Sequence, residues 1–521
     1  MEVESLDQKV LKELVNRRHP EYEGRLEHWN FLAATYAGGR NWFKHNIFRY
    51  FKEGDNEFKE RLERAYRFNH TREVVNLINK YIFRENISRE RADAPDAVKA
   101  FWDRATREQM TLDELMSAID IQTSIFGRIW IVVDSTMKDV EVTSLADEKK
   151  ADARAYAYWL PPQQMLDFAY DDDGNLLWVL THELVRDDAN PFTSSGNLQN
   201  RYRLWTRESW FLFREVKTKK GSAKQTQIEL ENYGEHKLGV VPVFPVDCMG
   251  NAQSRYFSPS LIDDIAYLDR AVANYLSNLD AIIQDQTFSQ LAIPVQAMMP
   301  GDENHTKVLE FGTKRVFTYD AEGGSQPFYM SPDPKQASMI IQTVQTVINE
   351  IYHSVGVAGE RTKQDNAKGI DNSSGAAKAY DFQRVNSLLI TKAERLQRAE
   401  RQMLYLAAKW MGQEKTQEEI DELVAYPESF DVRGLMDEFD VAKQLKEIEA
   451  PESVRRHQMD ILIEKIFPNV SKEMRSAFDK DLKEFPPKNN QLMLESKYLN
   501  TYDSGNKKDQ ETDPKSTQET E

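Results

Sequence analysis

The sequence predicts an α+β protein that is predominantly helical, and three observations support this fold class. Between Asp333 and Gly412 the pattern is a helix, a glycine-rich break and an unusually long second helix. The region from Arg128 to Val246 contains several runs of β-branched and aromatic residues separated by polar turns, which is typical of strands. Helical periodicity also marks residues 5–103 and several segments between residues 417 and 485.

The first of the two central helices begins with strong start signals. Asp333 is expected to cap the helix, and Pro334 to occupy its first position. Apolar residues recur at helical spacing from Ala337 to Val355. Uncharged polar side chains fill the opposite face, among them Gln342, Gln345, Thr346 and Asn349. We therefore predict a helix that buries one stripe and presents a neutral face.

A polar segment follows from Gly356 to Asn372, and its glycines make it too irregular for a helix. Ser373 or Ser374 is expected to cap the next helix, which then runs to Gly412. At ~1.5 Å per residue this helix is roughly 55 Å long, far above the average helix of about 11–12 residues. Its apolar spine repeats every seven residues, at Leu389, Leu396, Met403 and Trp410.

Another long helix is predicted upstream, with Ser258 as its cap and Pro259 as its first residue. Its polar face is acidic and includes Asp280 and Asp285. A solvated acidic face is the ordinary interpretation. The alternative is a wall that repels phosphate. Three short strands are expected between this helix and the next one, at Leu291 to Val295, Lys307 to Glu310 and Arg315 to Tyr319.

The order of these elements resembles the portal protein family of tailed double-stranded-DNA bacteriophages. The segments that carry the resemblance are Ser354-Val355-Gly356-Val357-Ala358-Gly359, Asn372-Ser373-Ser374-Gly375-Ala376-Ala377-Lys378-Ala379, and, near the start of the chain, Trp29 to Gly39 and Arg61 to Asn69. In that family a stem helix leads into a mobile loop that faces a central DNA channel, and a long helix then carries the chain outward.

The resemblance implies a portal-type architecture with wing, stem, clip and crown regions in a ring oligomer. By residue number it divides the chain into a wing (1–256), a first stem helix (257–289), a β-rich clip (290–332), a second stem helix (333–357), a channel loop (358–373), a long wing helix (374–412), a helical crown (413–487) and a disordered tail (488–521).

Two sets of candidate site residues follow from the resemblance. The channel loop would place Arg361, Lys363, Gln364 and Lys368 toward DNA, and the alternative is a plain solvent-exposed connection between helices. The stem would present a channel-facing or intersubunit face, made of Gln342, Gln345, Thr346, Asn349, Asp280 and Asp285. A run of arginines could be a DNA patch, but we interpret it as a solvated or intersubunit helix face: Arg61, Arg64, Arg67 and Arg72.

Composition limits the possible functions. The chain has 521 residues, and its 68 Lys and Arg against 85 Asp and Glu give a net charge of −17. This balance argues against a protein that grips nucleic acid through a basic surface, but it does not exclude a conduit. The mean hydropathy is −0.66, and no apolar run of roughly 18 residues occurs, so no membrane span is expected. The acidic start argues against a signal peptide. The single cysteine, Cys248, fits a protein made in reducing cytoplasm.

No motif predicts catalysis, a cofactor or a metal site. The sequence lacks Gly-x4-Gly-Lys-Ser/Thr, the nucleotide-binding motif expected of a packaging ATPase. It also lacks His-Glu-x-x-His, and its nine histidines are scattered. The run from Asp171 to Gly174 fails the calcium-loop spacing, so we predict a hairpin turn there. We expect a protein that is not an enzyme.

The function implied by the resemblance is a ring of twelve copies at one capsid vertex, through which genomic DNA is packaged and ejected. Its partners would be other copies of itself, double-stranded DNA, the terminase packaging motor, the head–tail connector or adaptor, and the major capsid and scaffolding proteins. Its location would be the virion, after assembly in the host cytoplasm. Two alternatives remain open: a non-catalytic helical scaffold or adaptor of the virion, and a metal-dependent nuclease with clustered carboxylates.

Overall fold

The structure is a computed structural model that describes residues 7–51, 53–84, 86–136, 153–188, 190–220, 223–250, 256–287, 290–294, 316–319, 326, 328–330, 334–356, 375–413, 415–428, 430, 435–467 and 472–485. The chain divides into two compact units, Met1–Asp431 and Val432–Glu521. Helices and sheets are mixed in the first unit, which confirms the predicted α+β class.

Helices open the first unit, as predicted. They are α1 (Gln8–Val15), α2 (Tyr22–Ala37), α3 (Arg40–Asn46), α4 (Asp55–Arg64), α5 (His70–Ile82), α6 (Asp96–Asp103) and α7 (Leu112–Phe126). The start of α7 shows why the boundaries are sharp. Thr111 accepts a hydrogen bond from the Glu114 backbone while the Glu114 side chain accepts one from the Thr111 backbone, which is a capping box.

Two antiparallel sheets follow α7. The first has the strand order β3 (Ala155–Leu160), β2 (Arg128–Ser135), β9 (Val243–Asp247). The second runs in chain order through β4 (Met165–Tyr170), β5 (Leu176–Arg186), β6 (Leu198–Thr206), β7 (Ser209–Lys220) and β8 (Ala223–Glu235). Every residue of β2 is buried, so this strand forms the centre of the sheet core.

The hairpin turn predicted at Asp171 to Gly174 is confirmed. Asp171 N donates to Asn175 O at 2.9 Å, and the Asp171 carboxylate accepts from the Asn175 backbone at 2.7 Å. Gly174 has a φ of +83°, a conformation that glycine adopts without strain. The turn joins β4 to β5 and holds no arrangement that resembles a calcium loop.

Two long helices and a small sheet come next. They are α8 (Ile265–Thr287), the strands β10 (Gln290–Pro294), β11 (Val316–Tyr319) and β12 (Phe328–Met330), and α9 (Pro334–Ser354). Strand β10 lies in the middle, parallel to β11 and antiparallel to β12. Helices α8 and α9 pack against each other. The strand predicted at Lys307 to Glu310 lies outside the described residues.

The predicted start of α8 at Ser258 and Pro259 is wrong. Ser258 Oγ donates to Met249 O at 3.0 Å, which ties this residue to the end of the sheet region instead of the helix. Ser260 N donates to the Asp263 carboxylate at 2.9 Å, and the chain makes a turn before the helix begins at Ile265. Proline after serine therefore marks a turn here, because side chains satisfy the backbone donors locally.

The long helix is confirmed as α10 (Gly375–Trp410), 36 residues in length. Its predicted spine is buried at Leu389, Leu396 and Met403, each at most 2% exposed. The helix packs against α5, α6, α7 and the sheet of β2, β3 and β9. At its end Trp410 Nε1 donates to Val133 O at 2.8 Å. The first unit closes with α11 (Gln417–Asp421) and with β13 (Val424–Ala425), which pairs with β1 (Ser88–Arg89).

The second unit contains α12 (Leu435–Glu447), α13 (Glu452–Ile466) and α14 (Lys472–Glu484). These helices agree with the helical segments predicted for the crown. The boundary between the units falls within the predicted crown range of 413–487, so its first residues belong to the first unit. The tail at 488–521 lies outside the described residues, and the division into wing, stem, clip and crown stays a prediction.

Candidate functional site: the stem pair and its collar

Helices α8 and α9, which we call the stem pair, hold the predicted stem-face residues. Helix α9 is buried at Val344 near its middle and at Ile351 and Tyr352 near its end. Further toward its start Met339 is 63% and Ile341 44% exposed. The predicted neutral face is exposed at all four positions: Gln342, Gln345, Thr346 and Asn349. Packing against α8 therefore covers part of the apolar stripe and leaves the rest at the surface.

This exposed surface of α9 carries no ionised side chain between Lys335 and Glu350. Hydroxyl groups along it are satisfied by the helix itself, since Thr346 Oγ1 donates to Gln342 O at 3.0 Å. Neutral amides and hydroxyls attract phosphate only weakly, because they lack the net charge that dominates binding to nucleic acid. The arrangement suits a surface that touches a polyanion without holding it.

Two acidic residues of α8, Asp269 and Asp280, have partners within the chain. Asp269 is fully buried and accepts hydrogen bonds from Thr71 N at 3.2 Å and from Thr71 Oγ1 at 2.8 Å. The Asp280 carboxylate lies 3.1 Å from Arg64 Nε. The ordinary interpretation of these residues as a solvated acidic face is wrong for Asp269, because its carboxylate is buried and hydrogen-bonded to Thr71. Asp285 lies within α8, but its side chain is outside the described residues.

A helical segment of residues 40–68, which we call the collar, packs against α8. It contains α3, α4 and the chain that follows each. Its apolar side chains form a small core with Ala273 of α8: Trp42, Phe43, Ile47, Ala65, Phe58 and Leu62. Polar contacts add to this core, since Asn274 Nδ2 donates to Asn46 O at 2.9 Å and Asn274 Oδ1 accepts from Phe48 N at 2.9 Å.

Arg61 is the polar centre of the collar. It is 6% exposed and donates two hydrogen bonds to the Glu53 carboxylate, at 2.8 and 2.7 Å. It also donates to Phe48 O at 2.8 Å and to Ser277 Oγ at 3.1 Å. The hydrogen bonds from Arg61 lower the pKa of Glu53 below its ordinary value. The guanidinium of Arg61 thus joins Phe48 and Glu53, on either side of the connection between α3 and α4, to Ser277 of α8.

The other arginines of the predicted run also have partners within the chain. Arg67 stacks on the Trp42 ring at 3.9 Å and lies 3.8 Å from Asp269. Arg72 Nε donates to Tyr36 O at 3.0 Å. The interpretation of this run as a solvated face is wrong for Arg61 and Arg67, whose side chains are 7% and 4% exposed. Arg64 and Arg67 thus lie beside the acidic residues of α8, and Arg61 binds the carboxylate of Glu53.

Buried ion pairs fix α10, the helix that follows the predicted channel loop. Glu400 of α10 is fully buried, binds Arg89 at 2.7 Å and accepts from Tyr426 Oη at 2.8 Å. Burial works against the charge on Arg89, but the hydrogen bonds and charges of Glu400 and Asp113 together outweigh burial and raise the pKa of Arg89. Burial also raises the pKa of the Cys248 thiol, which keeps it neutral and unreactive.

The predicted channel-loop residues Arg361, Lys363, Gln364 and Lys368 lie outside the described residues. Their proposed contact with DNA stays a prediction. Within the described part of the chain, no group of three or more His, Cys, Asp or Glu is placed to hold a metal ion. Among the helices described, none has the length and apolar character that crossing a membrane requires.

Comparison of the sequence with protein-family models gives no match, and comparison with curated proteins gives none either. Among solved structures, the chain is similar to a chain of the virion of a native gene transfer agent (GTA) particle, at 12% identity and a TM-score of 0.38, over 82% of this chain and 98% of that one. It is also similar to a chain of the neck of an empty GTA particle computed with C6 symmetry, at 13% identity and a TM-score of 0.40, over 81% and 98%. At these TM-scores the likenesses do not establish a shared fold.

Proposed function

We propose that this chain is a phage portal protein. Copies of it form a ring at one capsid vertex, genomic DNA is packaged and ejected through the central channel, and the ring is the docking platform for the terminase motor and then for the head–tail connector. Twelve copies are proposed from the family resemblance. The protein acts by assembly and positioning, without catalysis, and it resides in the virion.

The observation that carries the proposal is the stem pair. Two packed helices of 23 and 21 residues are joined through a small β-sheet, and the second presents an exposed face without ionised side chains. Placed side by side around an axis, such pairs would form a tube with a neutral wall. A basic wall would bind the phosphates and stop the DNA, because each neutralised phosphate adds to the affinity.

The channel loop completes the mechanism. Arg361, Lys363, Gln364 and Lys368 would touch phosphates transiently at the end of the stem pair. The buried ion pairs of α10 provide the rigid support from which such a loop acts, since Glu400 and Lys392 hold that helix to the body of the first unit.

The first experiment is to determine the assembly state of the full-length chain. Native mass spectrometry and negative-stain electron microscopy should show one closed ring with a hole wide enough for a DNA duplex. A chain that remains a single copy at high concentration would contradict the proposal. A monomer that cuts DNA with added metal would favour the nuclease alternative, and open assemblies without a hole would favour the scaffold or adaptor alternative.

The second experiment tests the neutral wall in a DNA packaging assay. A double variant, Gln345→Lys with Thr346→Lys, should slow packaging, because added cations bind the phosphates of passing DNA. The double variant Phe192→Lys with Asn197→Lys, at two exposed positions before β6, adds the same charge and is the matched control. Equal packaging rates in both variants and the unmodified protein would show that α9 does not face the DNA. The variant Lys363→Glu with Lys368→Glu tests the loop in the same assay.

A further inference from the structure

A cleft of about 290 Å³ lies between strand β9 and helix α10. Four consecutive residues of β9, from Phe244 to Asp247, form one of its walls. Arg395, Arg398 and Gln402 lie on the other wall, and because they are three and four positions apart they share one face of α10. Helix α10 packs against the sheet that contains β9. Two regular elements of the same unit therefore build the cleft.

The two arginines of the cleft have no anionic partner among the residues that the structure describes. Arg395 is half-buried and Arg398 is exposed, and neither makes a hydrogen bond or an ion pair within that part of the chain. The carboxylate of Asp247 does not pair with them, since Arg128 binds it with two hydrogen bonds, at 2.6 and 2.9 Å. The cleft thus carries two positive charges that no described carboxylate neutralises.

Strand β9 is also an edge of its sheet. The strand order is β3, β2, β9, and among the described strands none pairs with the outer side of β9. On the inner side, Cys248 N donates to Gly127 O at 2.7 Å. Because hydrogen bonds to a neighbouring strand alternate along an antiparallel ladder, Val243, Pro245 and Asp247 direct their backbone groups to the outer side. Proline has no N–H, so the donors of this edge are the N–H groups of Val243 and Asp247.

An open strand edge beside guanidinium groups has the chemistry that recognises an extended acidic peptide. The edge pairs with the main chain of an added strand, and arginine binds a carboxylate through two parallel hydrogen bonds. Nucleic acid fits less well, because its affinity rises with each neutralised phosphate and the cleft supplies few cations. Phosphate groups would also leave the carbonyl oxygens of β9 without a donor, since phosphate oxygens accept hydrogen bonds.

We propose that this cleft binds an extended acidic segment of a partner protein. The main chain of the segment pairs with Val243 and Asp247, and its carboxylates bind Arg395 and Arg398. Because Val243 and Asp247 lie ~14 Å apart along the strand, a segment of about five residues spans the edge. Side chains of a strand alternate between its two faces, so acidic residues at every second position reach the arginines together. The inference does not depend on the proposed ring.

Fluorescence anisotropy with a labelled peptide tests the site on the full-length chain. The probe is Val-Glu-Val-Glu-Val with blocked termini, and Val-Gln-Val-Gln-Val is its uncharged counterpart. The charged peptide should bind. Its dissociation constant should be at least about tenfold lower than that of the uncharged peptide, and it should rise at least about tenfold in the double variant Arg395→Gln with Arg398→Gln. Lys443→Gln with Lys446→Gln, at exposed positions of α12, removes the same charge and is the matched control.

Several results of the binding experiment would overturn the inference. They are absence of binding at peptide concentrations up to about 1 mM, equal affinity of the arginine variant and the control, and equal affinity of the two peptides. Displacement of the peptide by a DNA oligonucleotide at the same concentration would also overturn it, because the cleft would then be a nucleic-acid contact. These measurements need no assembled ring, so their failure would leave the proposed function intact.

Hydrogen exchange of the unmodified chain tests the strand edge without any substitution, so the result does not depend on how well the arginine variant folds. Addition of the charged peptide should slow exchange in residues 243–247, because the N–H groups of Val243 and Asp247 gain acceptors. Exchange in β8, the edge strand of the other large sheet, should stay the same. Unchanged exchange in residues 243–247 at saturating peptide would show that the peptide lies elsewhere and that the inference is wrong.

Discussion

The ammonium group of Lys392 lies 2.9 Å from the carboxylate of Asp120, and neither side chain is more than 1% exposed. Lys392 also donates to Ser124 Oγ at 2.9 Å and to Cys248 Sγ at 3.3 Å. Asn79 Nδ2 donates to the other Asp120 oxygen at 3.0 Å. One buried cation thus joins α10 to α7 and to the residue after β9.

Removal of this cation should be costly. Lys392→Met should lower the free energy of unfolding of the first unit by about 3–5 kcal/mol, because Asp120 would remain as an uncompensated buried charge. Lys409→Met, in the same helix and only partly buried, should cost less than about 1 kcal/mol. Urea denaturation of the full chain measures both. A double variant, Lys392→Met with Asp120→Leu, should recover most of the loss, and no recovery would contradict the ion-pair explanation.

The same pair should be insensitive to pH near neutrality. Burial alone would lower the pKa of Lys392, but the Asp120 carboxylate and the Cys248 sulfur together outweigh burial and raise the pKa above the ordinary value of 10.5. A group with a raised folded-state pKa contributes its full stability below its ordinary pKa and loses it only as the pH rises further. The difference in stability between the unmodified chain and the double variant Lys392→Met with Asp120→Leu, which removes both charges, should therefore stay constant from about pH 6 to about pH 9.

Gly127 stands where α7 ends and β2 begins, and the chain that leads into α8 crosses it closely. Its φ is +77°, and a Cβ atom at this position would lie 1.9 Å from Ser258 O. Gly127→Ala should therefore destabilise the first unit by about 3 kcal/mol or more, from backbone strain and the forced shift of Ser258. Gly174→Ala is the matched control, because its φ is +83° and nothing lies within 4 Å of its Cβ position.

Thermal unfolding distinguishes the two glycines. Gly174→Ala should show only the cost of the unfavourable φ, about 1–2 kcal/mol. Equal losses in both variants would show that the approach of Ser258 does not matter. A larger loss at Gly127 would confirm that this glycine sets the distance between the sheet and the start of the stem pair.

Periodicity was enough to predict the long helices, because this signal is local. The buried spine of α10 and the capped start of α7 follow from residues within one or two helical turns. Strand β8 gives no strand signal of its own, since its segment from Ala223 to Glu235 is polar and lacks the alternation that indicates a half-buried strand. The error at Ser258 arose because a serine–proline pair starts a turn as readily as a helix.

The site was less predictable than the fold, because its charges are satisfied by residues far away in sequence. Asp269 and Thr71 are paired across 198 positions, and no local pattern indicates which aspartates of an acidic helix become buried. The position of Lys392 could have indicated a buried ion pair. It lies between Leu389 and Leu396 on the apolar spine, where a lysine needs a buried partner.

Two aspartates of α8, the buried Asp269 and the partly exposed Asp280, each have an arginine partner. Replacing each of them tests how burial changes the stabilisation from such a pair. Asp269→Ala should cost about 2–3 kcal/mol, because Thr71 loses its acceptor and the buried Arg67 loses its nearest carboxylate. Asp280→Ala removes a partly exposed ion pair with Arg64 and should cost less than about 1 kcal/mol. Melting temperatures of the two variants measure the difference. Equal losses would contradict the assignment of Asp269 as the anchor between α5 and α8.

The attachment of the collar to the stem pair should weaken in acid. Since the hydrogen bonds from Arg61 hold the folded-state pKa of Glu53 below its ordinary value of 4.5, the contribution of this pair is complete above that value. It is lost as the pH falls through the lowered pKa, because protonation removes the charge that Arg61 binds. Pepsin cleavage within residues 40–68 should therefore accelerate as the pH falls from about 5 to about 3.

The variant Glu53→Gln distinguishes the loss of the Arg61–Glu53 pair from general unfolding in acid. The variant should be cleaved faster than the unmodified chain at about pH 5, because Arg61 keeps its charge with only an amide as partner. Its cleavage rate should then rise less steeply toward about pH 3, since the group that titrates is gone. Glu60→Gln, at an exposed position in α4, should follow the unmodified protein at every pH. If Glu53→Gln also follows it, the acid sensitivity of the collar arises from other carboxylates.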